Sequence, residues 1–169
     1  MLSHLIIKNY ALIKNLEIDP TQGLNIITGE TGAGKSIMLG AVGLLMGNRA
    51  DVKTLFDETE KCVVEGTFEI KYLDFKYFFE ENDLDYDDTC VIRREIAPTG
   101  KSRAFVNDSP VNLDILKNLG QLLIDVHSQH ETISLGNNVF QINLIDSFAQ
   151  NSNILSEYKI AFSNFKKAD

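Results

Sequence analysis

Apolar residues fall along this chain in two rhythms, and the switch from one to the other marks out its elements. Residues 2–8 and 12–18 carry strand-like apolar runs parted by Asn9, Tyr10 and Ala11, so two strands open the chain. Pro20 and Gly23 then break the pattern. The run Leu24-Asn25-Ile26-Ile27-Thr28 is short, rich in apolar residues and bounded by Gly23 and Gly29, which predicts a buried parallel strand. Residues 36–46 predict a helix, closed by a glycine signal in Gly47-Asn48-Arg49-Ala50-Asp51. Residues 62–70 alternate in their later half as a half-buried strand does, and residues 73–81 predict a helix with Phe75, Phe78 and Phe79 on its apolar face. Residues 88–97 and 102–107 predict a β-hairpin around Pro98-Thr99-Gly100-Lys101.

Further on, Leu113, Leu116 and Leu119 space a short helix closed by Gly120. Gln121-Leu122-Leu123-Ile124-Asp125-Val126 predicts another buried strand, leading into the polar loop His127-Ser128-Gln129-His130-Glu131. Val139, Ile142, Ile145 and Phe148 mark a helix. Leu155, Tyr158, Phe162 and Phe165 come next at 3-4-3 spacing, the a/d rhythm of a coiled coil, although fewer than two heptads are present. An ordinary amphipathic helix is the alternative there. The pattern stops without cap or breaker, which reads as truncation.

Gly29-Glu30-Thr31-Gly32-Ala33-Gly34-Lys35-Ser36 spells G-x-x-x-x-G-K-[ST] between a predicted strand and a predicted helix, the setting a phosphate-binding loop requires. Its glycines let backbone N–H groups converge on phosphate oxygens at the helix N-terminus. Lys35 would reach the β- and γ-phosphates and the Ser36 hydroxyl would ligate Mg²⁺. The motif places the chain among α/β P-loop nucleotide-binding proteins, with ATP and Mg²⁺ as the expected ligands.

With 169 residues and 44% hydrophobic content, the chain is long enough for one domain with a substantial core. It has no run near eighteen apolar residues and no basic-then-apolar leader pattern, which predicts a cytoplasmic protein without a membrane span. Cys62 and Cys90 stand apart from C-x-x-C spacing and read as buried reduced thiols. The net charge of −8 excludes a surface that grips nucleic acid throughout, yet the charge is uneven. Twelve of the twenty-four acidic residues lie between Asp57 and Asp88, whereas Arg93, Arg94, Lys101 and Arg103 face only Glu95 in the predicted hairpin. Screening over about 10 Å lets such a local basic patch meet DNA phosphates, and a solvated hairpin is the alternative.

Hydrolysis needs more than a phosphate loop: a carboxylate behind Mg²⁺ and a group that positions the attacking water. Asp125 ends an apolar run in the manner of a Walker B acid, but Val126 stands after it where a glutamate would be expected. Gln129, on the loop beyond, could reach Mg²⁺ or the water through its side-chain amide, or could be an ordinary surface residue. His127-x-x-His130, in a loop with no cysteine nearby, is weak support for zinc.

Several tracts together resemble one family. They are residues 5–13, the phosphate loop, Gly47-Asn48-Arg49-Ala50-Asp51, Arg93-Arg94-Glu95-Ile96, residues 102–107 and residues 124–131. Over residues 1 to about 150 the chain resembles the RecN family of bacterial DNA repair proteins, in the SMC-like branch of ABC-type ATPases. The resemblance implies an ATPase head split in sequence, with residues 1–150 as its N-terminal lobe containing a mixed β-sheet, and residues 151–169 as the root of a coiled-coil arm. The Walker B acid, the signature motif and the switch histidine would come from the C-terminal half of the same head, making Gln129 the Q-loop glutamine and Asp125 a strand residue leading to it. Ser128 stands where the family pattern has glycine. A second head in a dimer, DNA as partner, a nucleoid-associated cytoplasmic location and a role in double-strand break repair are further implications. A free-standing P-loop kinase or switch using Asp125 as its metal-side acid is the competing reading.

Overall fold

The computed structural model describes residues 1–29, 34–126 and 138–168. They fall into two compact units, Met1–Asp125 and Val126–Asp169. The first contains β1 (Leu2–Tyr10), β2 (Ile13–Ile18), α1 (Lys35–Leu45), β3 (Cys62–Glu69), α2 (Lys76–Glu81), β4 (Thr89–Ile96), β5 (Ser102–Val106), β6 (Ser109–Val111) and α3 (Leu113–Leu123). The second contains α4 (Asn138–Phe148) and α5 (Ser152–Ala168).

The six strands form one sheet in the order β2-β1-β3-β4-β5-β6. Every pairing in it is antiparallel. Local turn chemistry makes this order cheap to build. Asn107 and Asp108, at φ 47° and 64°, form a two-residue turn with both central residues left-handed, which suits the twist of the β5–β6 hairpin. The Asn107 side chain also accepts from Val91 N at 2.8 Å and donates to the Asp85 carbonyl at 3.0 Å. Asn9 has a comparable role at the other end of the sheet. Buried and left-handed, it accepts from Asp57 N at 2.6 Å and donates to the carbonyls of Asp57 and Glu60 at 2.9 and 2.8 Å, which pins that loop to β1.

Strand alternation gives the sheet an inner apolar face, where Leu5, Ile7, Val64, Phe68, Ile92, Ile96 and Val106 are buried. Helix α1 packs against β1, β3 and β4, and α3 packs against β5 and α1. The end of α1 is closed as its sequence predicts. Gly47 takes φ 82°, its N–H reaches the Leu44 carbonyl at 3.2 Å, and Asn48 N reaches Gly43 O at 3.0 Å, the paired bonds of a Schellman motif. Helix α3 passes close beside that end. A Cβ on Gly120 would stand 2.7 Å from Met46 Cα and 2.9 Å from Leu45 O, so only glycine permits the approach.

Burial pushes the Cys62 thiol up to about 11 and the Cys90 thiol up to about 12, and both cysteines are free, as inert core residues should be.

Two predicted strands are not formed. Residues 24–28 lie outside the sheet, with Leu24 85% and Ile26 75% exposed. Residues 121–123 continue α3 through Gly120, and 124–126 are not paired. The expected parallel component of a mixed sheet is therefore missing from the described residues. The cause is physical: a parallel strand needs neighbours on its edges and cover on both faces, and none of the six strands pairs with these runs. Helix α2 is also shorter than its apolar spacing predicts, because Leu73 N closes a turn onto Ile70 O and Phe75 serves as the N-cap.

In the second unit, Tyr158 and Phe162 stack with centroids 5.8 Å apart, as four-residue spacing on one helix face allows. Ile154, Tyr158, Ile160 and Phe165 on α5 are exposed. No described helix is long and apolar enough to cross a membrane.

Candidate phosphate-binding site

The loop motif delivers its lysine to the first position of α1. Gly34 takes φ 95° and ψ −5°, a left-handed conformation that a side chain would resist, and the helix starts at the next residue. Met38 N bonds back to Gly34 O at 2.8 Å, while no side chain caps the helix and no acidic residue occupies its first turn. The N–H groups and positive dipole end of an 11-residue helix are thus left for an anion. Lys35 and Ser36 are exposed, and Lys35 Nζ donates to the Gly29 carbonyl across the loop. An ammonium that spans the loop in this way stands where a phosphate chain would replace the carbonyl as its partner.

Gly29, Gly34, Lys35 and Ser36 are thus brought together by the start of α1. Glu30, Thr31, Gly32 and Ala33, also part of the motif, lie outside the described residues, as do Gln129 and the rest of the loop from His127 to Glu131. For Mg²⁺, the Ser36 hydroxyl is an oxygen donor of the expected kind, and no group of three or more His, Cys, Asp or Glu able to hold a metal occurs among the described residues. The donors present therefore fit a nucleotide phosphate chain, with any cation held mainly by that chain. Asp125 is exposed and not on a strand, so it lacks the rigid placement that a Walker B acid requires.

The basic hairpin is smaller than its sequence suggests. Lys101 and Arg103 are exposed at the β4–β5 end, but Arg93 and Arg94 sit inside β4 and point to opposite faces of the sheet. Arg93 is on the outer face with Asp108 at 2.8 Å, Glu65 at 3.5 Å and Glu95 at 3.5 Å, and its guanidinium lies 4.7 Å from the Phe105 ring centroid. Partial burial pulls its pKa down, but the bonds to Asp108 and Glu65 outweigh this and the net shift is upward. Arg94 is on the inner face and only 2% exposed. Neither arginine offers a spare charge at the hairpin tip. The alternation Cys90, Ile92, Arg94, Ile96 carried this signal, since Arg94 keeps step with the apolar residues. Asn9 and Asn107, which organise the loops, had no comparable signal beyond their tolerance of left-handed backbone.

Residues 4–169 match the AAA domain family. The chain is 40% identical over 169 residues to DNA repair protein RecN of Vibrio cholerae, covering 99% of this chain and 30% of that protein. It spans about 30% of the length of the curated relatives it matches. Among solved structures it is similar to the Smc head domain with an extended coiled coil from Pyrococcus furiosus, at 17% identity and TM-score 0.62, over 98% of this chain and 48% of that one. A chain from a study of ATP-driven dimerization and DNA-stimulated activation of SMC ATPases superposes with TM-score 0.59 at 17% identity, over 87% of this chain and 98% of that one. These likenesses show that the chain shares the fold of part of an Smc head domain.

Lys35→Ala should weaken ATP binding by about 10- to 100-fold, the worth of a charge-assisted hydrogen bond, without changing the far-ultraviolet circular dichroism. Isothermal titration with ATP measures it. Unchanged affinity would remove Lys35 from the site.

Proposed function

Because the chain belongs to the AAA domain family, we propose that it is the ATP-binding lobe of a RecN-like, SMC-family ATPase that acts in DNA double-strand break repair and recombination. The observation that carries this reading is the placement of Lys35 at the uncapped N-terminus of α1, together with the exposure of the strand-length apolar run 24–28 that precedes the loop. A self-sufficient enzyme would bury Leu24, Ile26 and Ile27, whereas a lobe awaiting the other half of its head would not. On this reading residues 1–150 form the lobe and 151–169 begin a coiled-coil arm, consistent with the exposed aromatic stripe of α5.

Bound ATP supplies a scissile phosphoanhydride and the charge that draws Mg²⁺. The chain's own residues would hold it: Lys35 would pair with the phosphates, the α1 amides would donate to their oxygens, and Ser36 would supply a hydroxyl oxygen to the cation. Gln129 positions the cation or the attacking water without itself titrating. The carboxylate that completes hydrolysis, and the motif that meets the γ-phosphate from an opposing head, belong to the remainder of the intact protein, which works at the nucleoid in the cytoplasm. The kinase reading is disfavoured because Asp125 lacks a strand to hold it.

Ground-state phosphate binding can be assembled from one lobe, but transition-state stabilisation cannot. The 169-residue chain should therefore bind ATP with negligible turnover, while the full-length protein hydrolyses it and its Gln129→Ala variant loses turnover more than affinity. Steady-state phosphate release tests this. Robust hydrolysis by the chain alone, abolished by Asp125→Asn, would make it a complete enzyme and overturn the split-head reading.

Contact with the DNA backbone is assigned to Lys101 and Arg103, supported by their exposure at the hairpin end. Replacing both by alanine in the full-length protein should flatten the slope of log affinity against log salt by about 1.8 on duplex DNA. An unaltered slope would return these residues to ordinary solvated surface.

A further inference from the structure

Arg94 is the only buried charged residue among the described residues, and its chemistry contradicts its surroundings. It is 2% exposed, and its Nε has no hydrogen-bond partner. Its ladder neighbours are Val64 and Ala104, and along β4 it keeps company with Ile92 and Ile96 in an otherwise apolar core. No ion pair to it occurs among the described residues. Burial pulls its pKa down and no carboxylate counters that pull. Arg93, one residue away, also has an Nε without a hydrogen-bond partner, but its charge is compensated, because three carboxylates lie within 3.5 Å of it. Methionine or leucine at position 94 would fill similar volume without desolvating a cation. A buried guanidinium lacking its counter-ion fits a lobe that meets that counter-ion in a larger assembly.

We propose that Arg94 is a docking position for a single aspartate or glutamate side chain supplied by the part of the polypeptide that completes the head. The inference rests on the split-head reading. A carboxylate suits the position better than a phosphate does. One guanidinium fork matches one carboxylate in charge and in bidentate geometry, whereas phosphate sites gather several donors, and Arg94 is the only buried cation among the described residues. When the pair forms, a charge that costs the isolated lobe stability becomes a latch that favours the complete head.

The test is a reversal of sign. Arg94→Met and Arg94→Lys are made in the full-length protein and in the 169-residue chain, and Tm is measured by scanning fluorimetry. In the chain alone, Arg94→Met should leave Tm unchanged or raise it, because it removes an unpaired buried charge. In the full-length protein it should lower Tm by about 5 °C or more, since the partner carboxylate is then stranded, and Arg94→Lys should lower it less. A fall of equal size in both proteins would mean that the arginine stem merely packs, and no fall in the full-length protein would mean that no carboxylate docks. Either result overturns the proposal. If full-length Arg94→Met does not fold, the lysine variant decides: partial retention of Tm supports the latch, and loss as complete as methionine's overturns it. ATP titration of the wild-type full-length protein is run alongside. Failure to bind there would refute the nucleotide site while leaving the Arg94 comparison readable.

Discussion

The seating of helix α1 is the constraint on which the rest of the lobe depends. Its first residue is Lys35 of the candidate phosphate site, its flank covers the inner face of the sheet, and its last turn is held against α3 by contact at Gly120. A backbone-to-side-chain approach of this kind has little tolerance, since a methyl group at Gly120 would collide with main-chain atoms of Leu45 and Met46 rather than with a movable side chain. The far end of α1 is therefore located by packing and by the Schellman closure at Gly47, while the near end stays exposed for a ligand. Rigid support behind an open N-terminus is what a phosphate site requires, because donors that are already aligned lose little on binding.

The antiparallel part of the fold was legible because its signals are local. Alternation placed β1 to β5 within one or two residues, and Pro98 to Lys101 marked the β4–β5 turn. The Asn107-Asp108 turn was not read, though such a pair tolerates the left-handed backbone that it adopts. The two runs read as buried strands, 24–28 and 121–126, failed for the opposite reason. Hydrophobicity reports that a segment is destined for burial but does not say what will bury it, and no strand among the described residues pairs with either run. Charge count alone overstates the basic patch at Arg93 and Arg94, because it ignores the period of the strand. Adjacent residues in β4 face opposite ways, so one became an ion-paired outer residue and the other a core cation.

These departures share one explanation. Leu24, Ile26, Ile27, Leu39 and Leu122 are large apolar residues left in solvent on a unit that otherwise buries its core well, and Arg94 is a charge left in that core without a counter-ion among the described residues. Surplus apolar surface and a deficit of compensating charge are both what half of an interface looks like before the other half arrives. The coverage of only about 30% of the length of its curated relatives agrees with this. Gly34, Lys35 and Ser36 are in place at the open start of α1, and on the proposed reading the groups that would make binding productive lie elsewhere in the intact protein.

Backbone hydrogen exchange at residues 24–28 tests this dependence most directly, because an unpaired run and a strand within a sheet differ greatly in amide protection. In the 169-residue chain these amides should exchange as fast as an open coil, and in the full-length protein they should be protected to the level of β1 and β3. Protection already present in the chain alone, or still missing in the full-length protein, would contradict the reading of this lobe as one half of a divided head.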